Sequence, residues 1–203
     1  MNNRWVNEKF LRKDATLKLS KEYRNSAPFP NLAIRNFFSK GMISEVRQAV
    51  KKQKFERKDT DLFSFYQSQA LEHTKDRAIR NFFDFIASRD FMQYIAELTG
   101  ENLASADMHA HIFRQGDYLL FHDDDLEKRR IAYIIYLSIG FKEKDGGRLQ
   151  LFDIANPRYA VKNILPEFNS FAFFKVSKKS LHAVEEVMSD KERLTVGGWF
   201  YGP

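Results

Sequence analysis

The chain of 203 residues contains no cysteine. That absence excludes a disulfide framework, a thiolate zinc knuckle and a thiol nucleophile, and it fits a reducing compartment. Long apolar runs are missing too: no stretch approaches the roughly 18 residues that a membrane-spanning helix needs. The N-terminus from Met1 to Lys9 scatters charge and has no apolar segment of the secretory type. A soluble, cytoplasmic protein with no membrane partner is therefore expected. Tryptophan is scarce, with 2 residues against 20 phenylalanines, and so many bulky apolar rings favour a packed interior over disorder. No internal repeat, low-complexity tract or linker is evident. The length suits one domain with a real core, so residues 1–203 are expected to form a single domain.

Acidic residues are the minority charge, leaving a formal net charge of +6. Basic clusters occur at Lys51, Lys52, Lys54, Arg57 and Lys58, and again at Lys175, Lys178 and Lys179. Such a surface attracts RNA, a ribonucleoprotein or an acidic partner through its field. Solvated lysine-rich faces are the favoured account, and direct nucleic-acid binding stays open. The oligomeric state has no signature in the sequence.

Apolar residues at three- and four-residue steps predict helices over Ser39–Phe55 and Arg77–Ser88, and a further one from about Asp90 to Leu98, closed by Gly100. The first 104 residues therefore read as mostly helical support. After Ser105 the period shortens to two. Strands are predicted at Met108–Phe113, Asp117–Phe121, Ile131–Leu137, Arg148–Phe152, Tyr159–Lys162, Ser170–Val176, Leu181–Val187 and Arg193–Tyr201, with turn residues between several of them. Eight short strands behind a helical preface predict an α+β fold: a jelly roll, or double-stranded β-helix, over residues 105–203.

The most informative string is Phe121-His122-Asp123-Asp124-Asp125. In an extended segment, side chains two positions apart share a face, so His122 and Asp124 are expected to point at one ion while Asp123 points away. His182 lies about sixty residues later in a strand-like run, and a jelly roll brings such distant strands together. Two imidazoles and a carboxylate make a facial triad with open coordination positions, the set suited to iron(II) that must bind a cosubstrate and dioxygen. Arg193 follows. A 2-oxoglutarate chelated at its keto acid end pushes its far carboxylate into the barrel, where only a partnered cation offsets desolvation, and guanidinium does so with two hydrogen bonds. Thr195 shares that face, and Tyr136, with Ala132 and Ile134 on its own strand face, is a further donor.

The stretches Tyr118–Leu137, Gly146–Phe152, Pro166–Phe171 and Arg193–Pro203 also resemble the catalytic domain of the ribosomal prolyl hydroxylases of the 2-oxoglutarate oxygenase superfamily. Weaker likeness reaches back through Pro28–Pro30 and Asp61–Ser68. The resemblance implies a protein substrate, a proline of a small-subunit ribosomal protein. It also implies Fe(II), 2-oxoglutarate and dioxygen as cofactor and cosubstrates, with ascorbate as an optional reductant. By matching positions it makes His122, Asp124 and His182 the iron ligands, Arg193 the carboxylate partner and Tyr136 a second cosubstrate contact. Eukaryotic members carry a second jelly roll after the Gly-Trp-Phe segment, and some place a tyrosine where this chain has Phe113.

Other residues carry weaker signals. His109 and His111 share a strand face and could bind a metal, but no carboxylate at matching spacing joins them, which favours packing or substrate contacts. Trp199 is a candidate for the substrate entrance or the core. Arg129 and Arg130 follow the metal motif; Arg130 is the candidate substrate contact and a surface ion pair the plainer account. Phe168, Phe171, Phe173 and Phe174 are expected in the core. Three rivals remain open. A nucleic-acid demethylase of the same superfamily would show a second arginine about six positions beyond Arg193, where Trp199 stands. A non-catalytic jelly-roll module would bind ribosomes or RNA electrostatically, and a zinc hydrolase could use two histidines and a carboxylate.

Overall fold

The computed structural model describes residues 4–203. Among the described residues four α-helices precede most of the strands: α1 (Lys13–Arg24), α2 (Lys40–Val50), α3 (Arg77–Ile86) and α4 (Arg89–Thr99). The last three match the apolar periodicity, and their ends follow from local chemistry. Asp76 caps α3 by accepting from the backbone N–H groups of Ala78 and Ile79, and Ser88 caps α4 by accepting from Phe91. Gly100 ends α4 in the left-handed conformation, at φ 81°. Helix α1 has no counterpart in the sequence reading, because Tyr23 alone among its twelve residues is buried and no apolar stripe marks it.

Twelve strands form one antiparallel sheet that curls into a nearly closed barrel. They are β1 (Asn31–Ile34), β2 (Phe55–Thr60), β3 (Phe63–Ser68), β4 (Ser105–Ala106), β5 (His109–Phe113), β6 (Tyr118–His122), β7 (Arg129–Tyr136), β8 (Leu149–Phe152), β9 (Ala160–Ile164), β10 (Ser170–Lys175), β11 (His182–Val184) and β12 (Arg193–Tyr201). Neighbours run in the order β1-β10-β7-β12-β5-β3-β6-β11-β8-β9, with β2 on β3 and β4 on β12. All eight strands expected after residue 105 are present. The half read as helical nonetheless contributes β1, β2 and β3, and β3 sits between β5 and β6. Strand β2 shows why it escaped notice: Phe-Glu-Arg-Lys-Asp-Thr has no buried residue, so its pairing with β3 supplies the strand and no apolar alternation betrays it.

Strand pleat sorts the side chains onto two faces. Ile131, Tyr133 and Ile135 of β7, Phe171 and Phe173 of β10, and Leu194, Val196 and Phe200 of β12 pack against the helices, meeting Phe37, Phe38, Phe82 and Phe91. The alternate positions, Ala132 and Tyr136 of β7 and Ala172 and Phe174 of β10, line the barrel interior with Leu149 and Leu151. The phenylalanines expected in the core are therefore divided between two cores, with Phe168 only partly buried. On β12 the same alternation turns Arg193, Thr195 and Trp199 inward. Gly197 is required there: a Cβ would collide with the Tyr133 carbonyl of the neighbouring strand. No helix among the described residues is long and apolar enough to cross a membrane.

Candidate active site

His122 ends β6 and His182 begins β11, and the two are direct cross-strand partners. Their ring centroids lie 4.0 Å apart. Each Nδ1 is committed to a backbone carbonyl two residues earlier, Leu120 at 2.9 Å and Ser180 at 2.7 Å. That fixes the tautomer with the proton on Nδ1 and leaves Nε2 free as a metal donor.

Asp124 joins them by a route other than the strand alternation expected from sequence. Strand β6 stops at His122, and Asp124 lies in the following loop at φ 60°, a left-handed conformation that aspartate tolerates better than most residues. Asp123 builds the turn. Its side chain accepts from the Asp125 N–H at 3.0 Å, while its carbonyl accepts from the Ser180 hydroxyl at 2.8 Å, tying the loop to the start of β11. The result places Asp124 Oδ1 3.6 Å from His122 Nε2 and Oδ2 3.4 Å from His182 Nε2. One ligand atom from each of the three residues lies within 4.8 Å of the others.

Burial alone would raise the Asp124 pKa; its interactions with His182, His122 and the Trp199 N–H hold it at about 2. Burial and the neighbouring His182 lower that of His122, so both states favour metal binding: an anionic carboxylate and a neutral imidazole. Two imidazole nitrogens and one carboxylate, with no sulfur, fit iron(II) bound on one face.

These residues open onto a cavity of about 310 Å³. On its wall Arg193 is 2% exposed. Its Nε donates to the Gly147 carbonyl at 2.7 Å, and its guanidinium lies between the rings of Phe113 and Tyr136, 4.9 and 5.4 Å from their centroids. Among the described residues no carboxylate pairs with it. Burial lowers its pKa and Tyr136 opposes that, yet an arginine stays charged. A buried cation without an anion is a costly arrangement that a bound carboxylate would relieve. Thr195 lines the same cavity. Tyr136 is fully buried, and its hydroxyl has no partner with good hydrogen-bond geometry among the described residues; burial raises its pKa against the pull of Arg193. Phe113 thus supplies a ring face to the cation.

The structure separates the two arginines after the motif. Arg130 is exposed and packs on Gly202, away from the cavity. Arg129 instead stacks on Trp199, and Trp199 lines the cavity and donates from Nε1 to Asp124 Oδ2 at 3.1 Å. Sequence reasoning also missed Phe65 and Gln67, which reach the cavity from β3. Nothing in a single sequence marks them, because the insertion of β3 beside β5 is a tertiary event. His111 lines the cavity too, opposite Thr195 on β12 and Gln67 on β3.

Burial, with the charges of His109 and Arg193, drives the His111 pKa from 6.5 down to about 3. The unfolded chain therefore binds the extra proton first. This contribution to stability is complete above about pH 6.5 and is lost as pH falls towards 3, at up to roughly 1.4 kcal/mol per pH unit. Urea unfolding of wild type and His111→Phe between pH 7 and pH 4 checks it: the acid slope should flatten in the variant, and equal slopes would show that His111 does not cause it.

Comparison with known proteins agrees with this geometry. The sequence profile of the 2OG-Fe(II) oxygenase superfamily matches residues 108–201. Over 187 residues the chain is 37% identical to prolyl 3-hydroxylase OGFOD1 of Xenopus laevis, covering 88% of this chain and 36% of that protein. Residues 108–201 are thus similar to the 2OG-Fe(II) oxygenase superfamily. That superfamily works with Fe(II), 2-oxoglutarate and dioxygen, and the matched segment contains His122, Asp124, His182 and Arg193. Prolyl 3,4-dihydroxylase OGFOD1 of Ostreococcus tauri is 32% identical over 200 residues, covering 87% of this chain and 38% of that one. This chain thus spans little more than a third of the length of these curated relatives. Its fold is that of a solved prolyl-4-hydroxylase from Pseudomonas putida, with a TM-score of 0.75 at 16% identity over 91% of this chain and 99% of the other.

Proposed function

We propose that this chain is a 2-oxoglutarate- and Fe(II)-dependent prolyl hydroxylase acting on a protein, with residues 1–203 as one oxygenase domain. His122, Asp124 and His182 hold the iron, and Arg193, with Thr195 and Tyr136, holds the far carboxylate of 2-oxoglutarate. The observation that carries this reading is the buried, uncompensated Arg193 in the same cavity as the histidine and aspartate cluster. A zinc hydrolase has no use for such a cation.

Bound iron, with 2-oxoglutarate and dioxygen, supplies the oxidising power that inserts one oxygen into a C–H bond, releasing succinate and carbon dioxide. The chain's own residues do the rest. The Nδ1 hydrogen bonds of His122 and His182 aim Nε2 at one point, and Phe113, Leu149, Phe174 and Val184 exclude water around it. Arg193 orients the cosubstrate from the barrel wall.

The finer reading is a proline of a small-subunit ribosomal protein, modified in the cytoplasm; likeness to the ribosomal prolyl hydroxylases and the net charge of +6 support it. The test incubates the purified protein with Fe(II), 2-oxoglutarate and matched ribosomes, then searches ribosomal peptides by mass spectrometry. One added oxygen on a proline is the expected result. Modification confined to RNA would select a nucleic-acid demethylase, and salt-sensitive ribosome binding with no 2-oxoglutarate consumption would select a non-catalytic module.

A further inference from the structure

The indole of Trp199 reaches the cluster of His122, Asp124 and His182 through Asp124. Four observations bear on what it does there. Its backbone N–H donates to Asp107 Oδ1 at 2.7 Å, which anchors this point of β12. Its partner across β7 is Ala132, a side chain small enough to leave room for the ring. Its Nε1–H meets Asp124 Oδ2 at 3.1 Å, the same oxygen that faces His182. Its other face is covered by Arg129, whose guanidinium carbon lies 3.4 Å from the ring centroid and whose Nη1 lies 3.8 Å from Asp124 Oδ1.

Asp124 needs such support. It stands outside any strand, at a positive φ that costs a non-glycine residue about 1–2 kcal/mol, and no ladder hydrogen bond of the sheet holds its side chain in place. A carboxylate can bind an ion through one oxygen or two. A second oxygen on the ion would occupy a position that a chelating cosubstrate and dioxygen require. A hydrogen bond from indole engages one lone pair of Oδ2 and leaves Oδ1, which accepts no hydrogen bond among the described residues, as the better donor. Arg129 strengthens the arrangement in two ways. Its charge over the ring makes the N–H a stronger donor, and stacking fixes the ring plane against rotation.

We infer that Trp199 and Arg129 are positioning residues for the metal carboxylate: the indole N–H holds Asp124 to one-oxygen binding, and Arg129 clamps the indole. The arginine that matters for this arrangement is therefore Arg129 and not Arg130. The inference rests on the proposal that His122, Asp124 and His182 bind the iron.

The test uses Co(II) alone as the probe, without 2-oxoglutarate or turnover. Calorimetric titration and the visible absorption bands of bound Co(II) are compared for wild type, Trp199→Phe, Arg129→Met and Asp124→Ala. Trp199→Phe keeps a ring and loses only the N–H donor at Asp124. Its Kd for Co(II) is expected to rise about 10–100-fold, the usual effect of removing a group that orients a metal ligand, and the Co(II) bands should shift as the carboxylate changes its binding mode. Arg129→Met, at a partly exposed position, should move both readouts in the same direction by less, and it remains informative should Trp199→Phe fold poorly. A purely structural role for Trp199 would lower the melting temperature without altering the bands. Wild-type affinity and bands in both variants, with Asp124→Ala unable to bind, would overturn this inference and leave the ligand assignment standing. Failure of the wild type to bind Co(II) at the cluster would remove both.

Discussion

Arg193→Leu is expected to raise the melting temperature of the ligand-free chain while largely abolishing its response to 2-oxoglutarate. The first half of this result follows from what surrounds the guanidinium. It is 2% exposed, it meets two aromatic rings and one carbonyl, and no carboxylate of the described residues pairs with it. Removing the donor leaves the Gly147 carbonyl wanting a partner, at a cost of about 1–3 kcal/mol. An unpaired buried ion costs several kcal/mol even after relaxation, so relief of the charge wins. A net gain of about 1 kcal/mol raises the melting temperature by roughly 2–4 °C at this chain length.

The second half reverses the sign once cosubstrate is present. Breaking a buried ion pair by removing one partner costs about 3–5 kcal/mol, which is a loss of roughly 10²–10⁴-fold in affinity. Wild type should therefore gain about 2.7 kcal/mol of stability at a 2-oxoglutarate concentration of 100 times its Kd, and the variant no more than about 0.4 kcal/mol. Differential scanning fluorimetry with and without 2-oxoglutarate reads both halves. A destabilised variant that shifts with 2-oxoglutarate as the wild type does would place the anchor elsewhere.

Replacing Asp124 is the change expected to cost most in catalysis. It contributes the cluster's anionic group, held at about 2 by the hydrogen bond and charge of its neighbours against the effect of burial, and it is the member that faces both imidazoles. Asp124→Ala should lose iron binding by more than about 100-fold, beyond what removal of an orienting group causes, and should form no succinate. Alanine fits the φ of 60° poorly. Asp124→Asn, which tolerates that backbone and keeps the shape, is therefore the decisive variant. It should fold as the wild type does and still fail to retain iron. Normal succinate production by either variant would refute the assignment. Losses confined to Asp124→Ala would point to the backbone rather than the carboxylate.

The candidate site was legible because the side chains that compose it are given by residue identity and order. His122, Asp124, His182 and Arg193 were recognisable as a metal set and a cation in a chain of eight β-type segments, since alternation along those segments is itself a sequence property. The cross-strand pairing of His122 with His182 was foreshadowed only in outline. Its register depends on the bulge between His182 and Val184, which no local pattern records.

What the amino-acid order determined by itself was thus the inventory: a cysteine-free α+β chain, three of its four helices, its later strands, and the side chains able to hold a metal and an anion. Folding in three dimensions decided the rest. It set β3 between β5 and β6 and so brought Phe65 and Gln67 to the cavity. It turned Asp124 into position through a left-handed loop, although strand alternation had been expected to do so, and it put Arg129 in place of Arg130 beside Trp199. The reason is physical. Periodicity reports which face of an element is buried, whereas the partner across that face is chosen by contacts between residues far apart in the chain, whose energies appear only when the whole sheet closes.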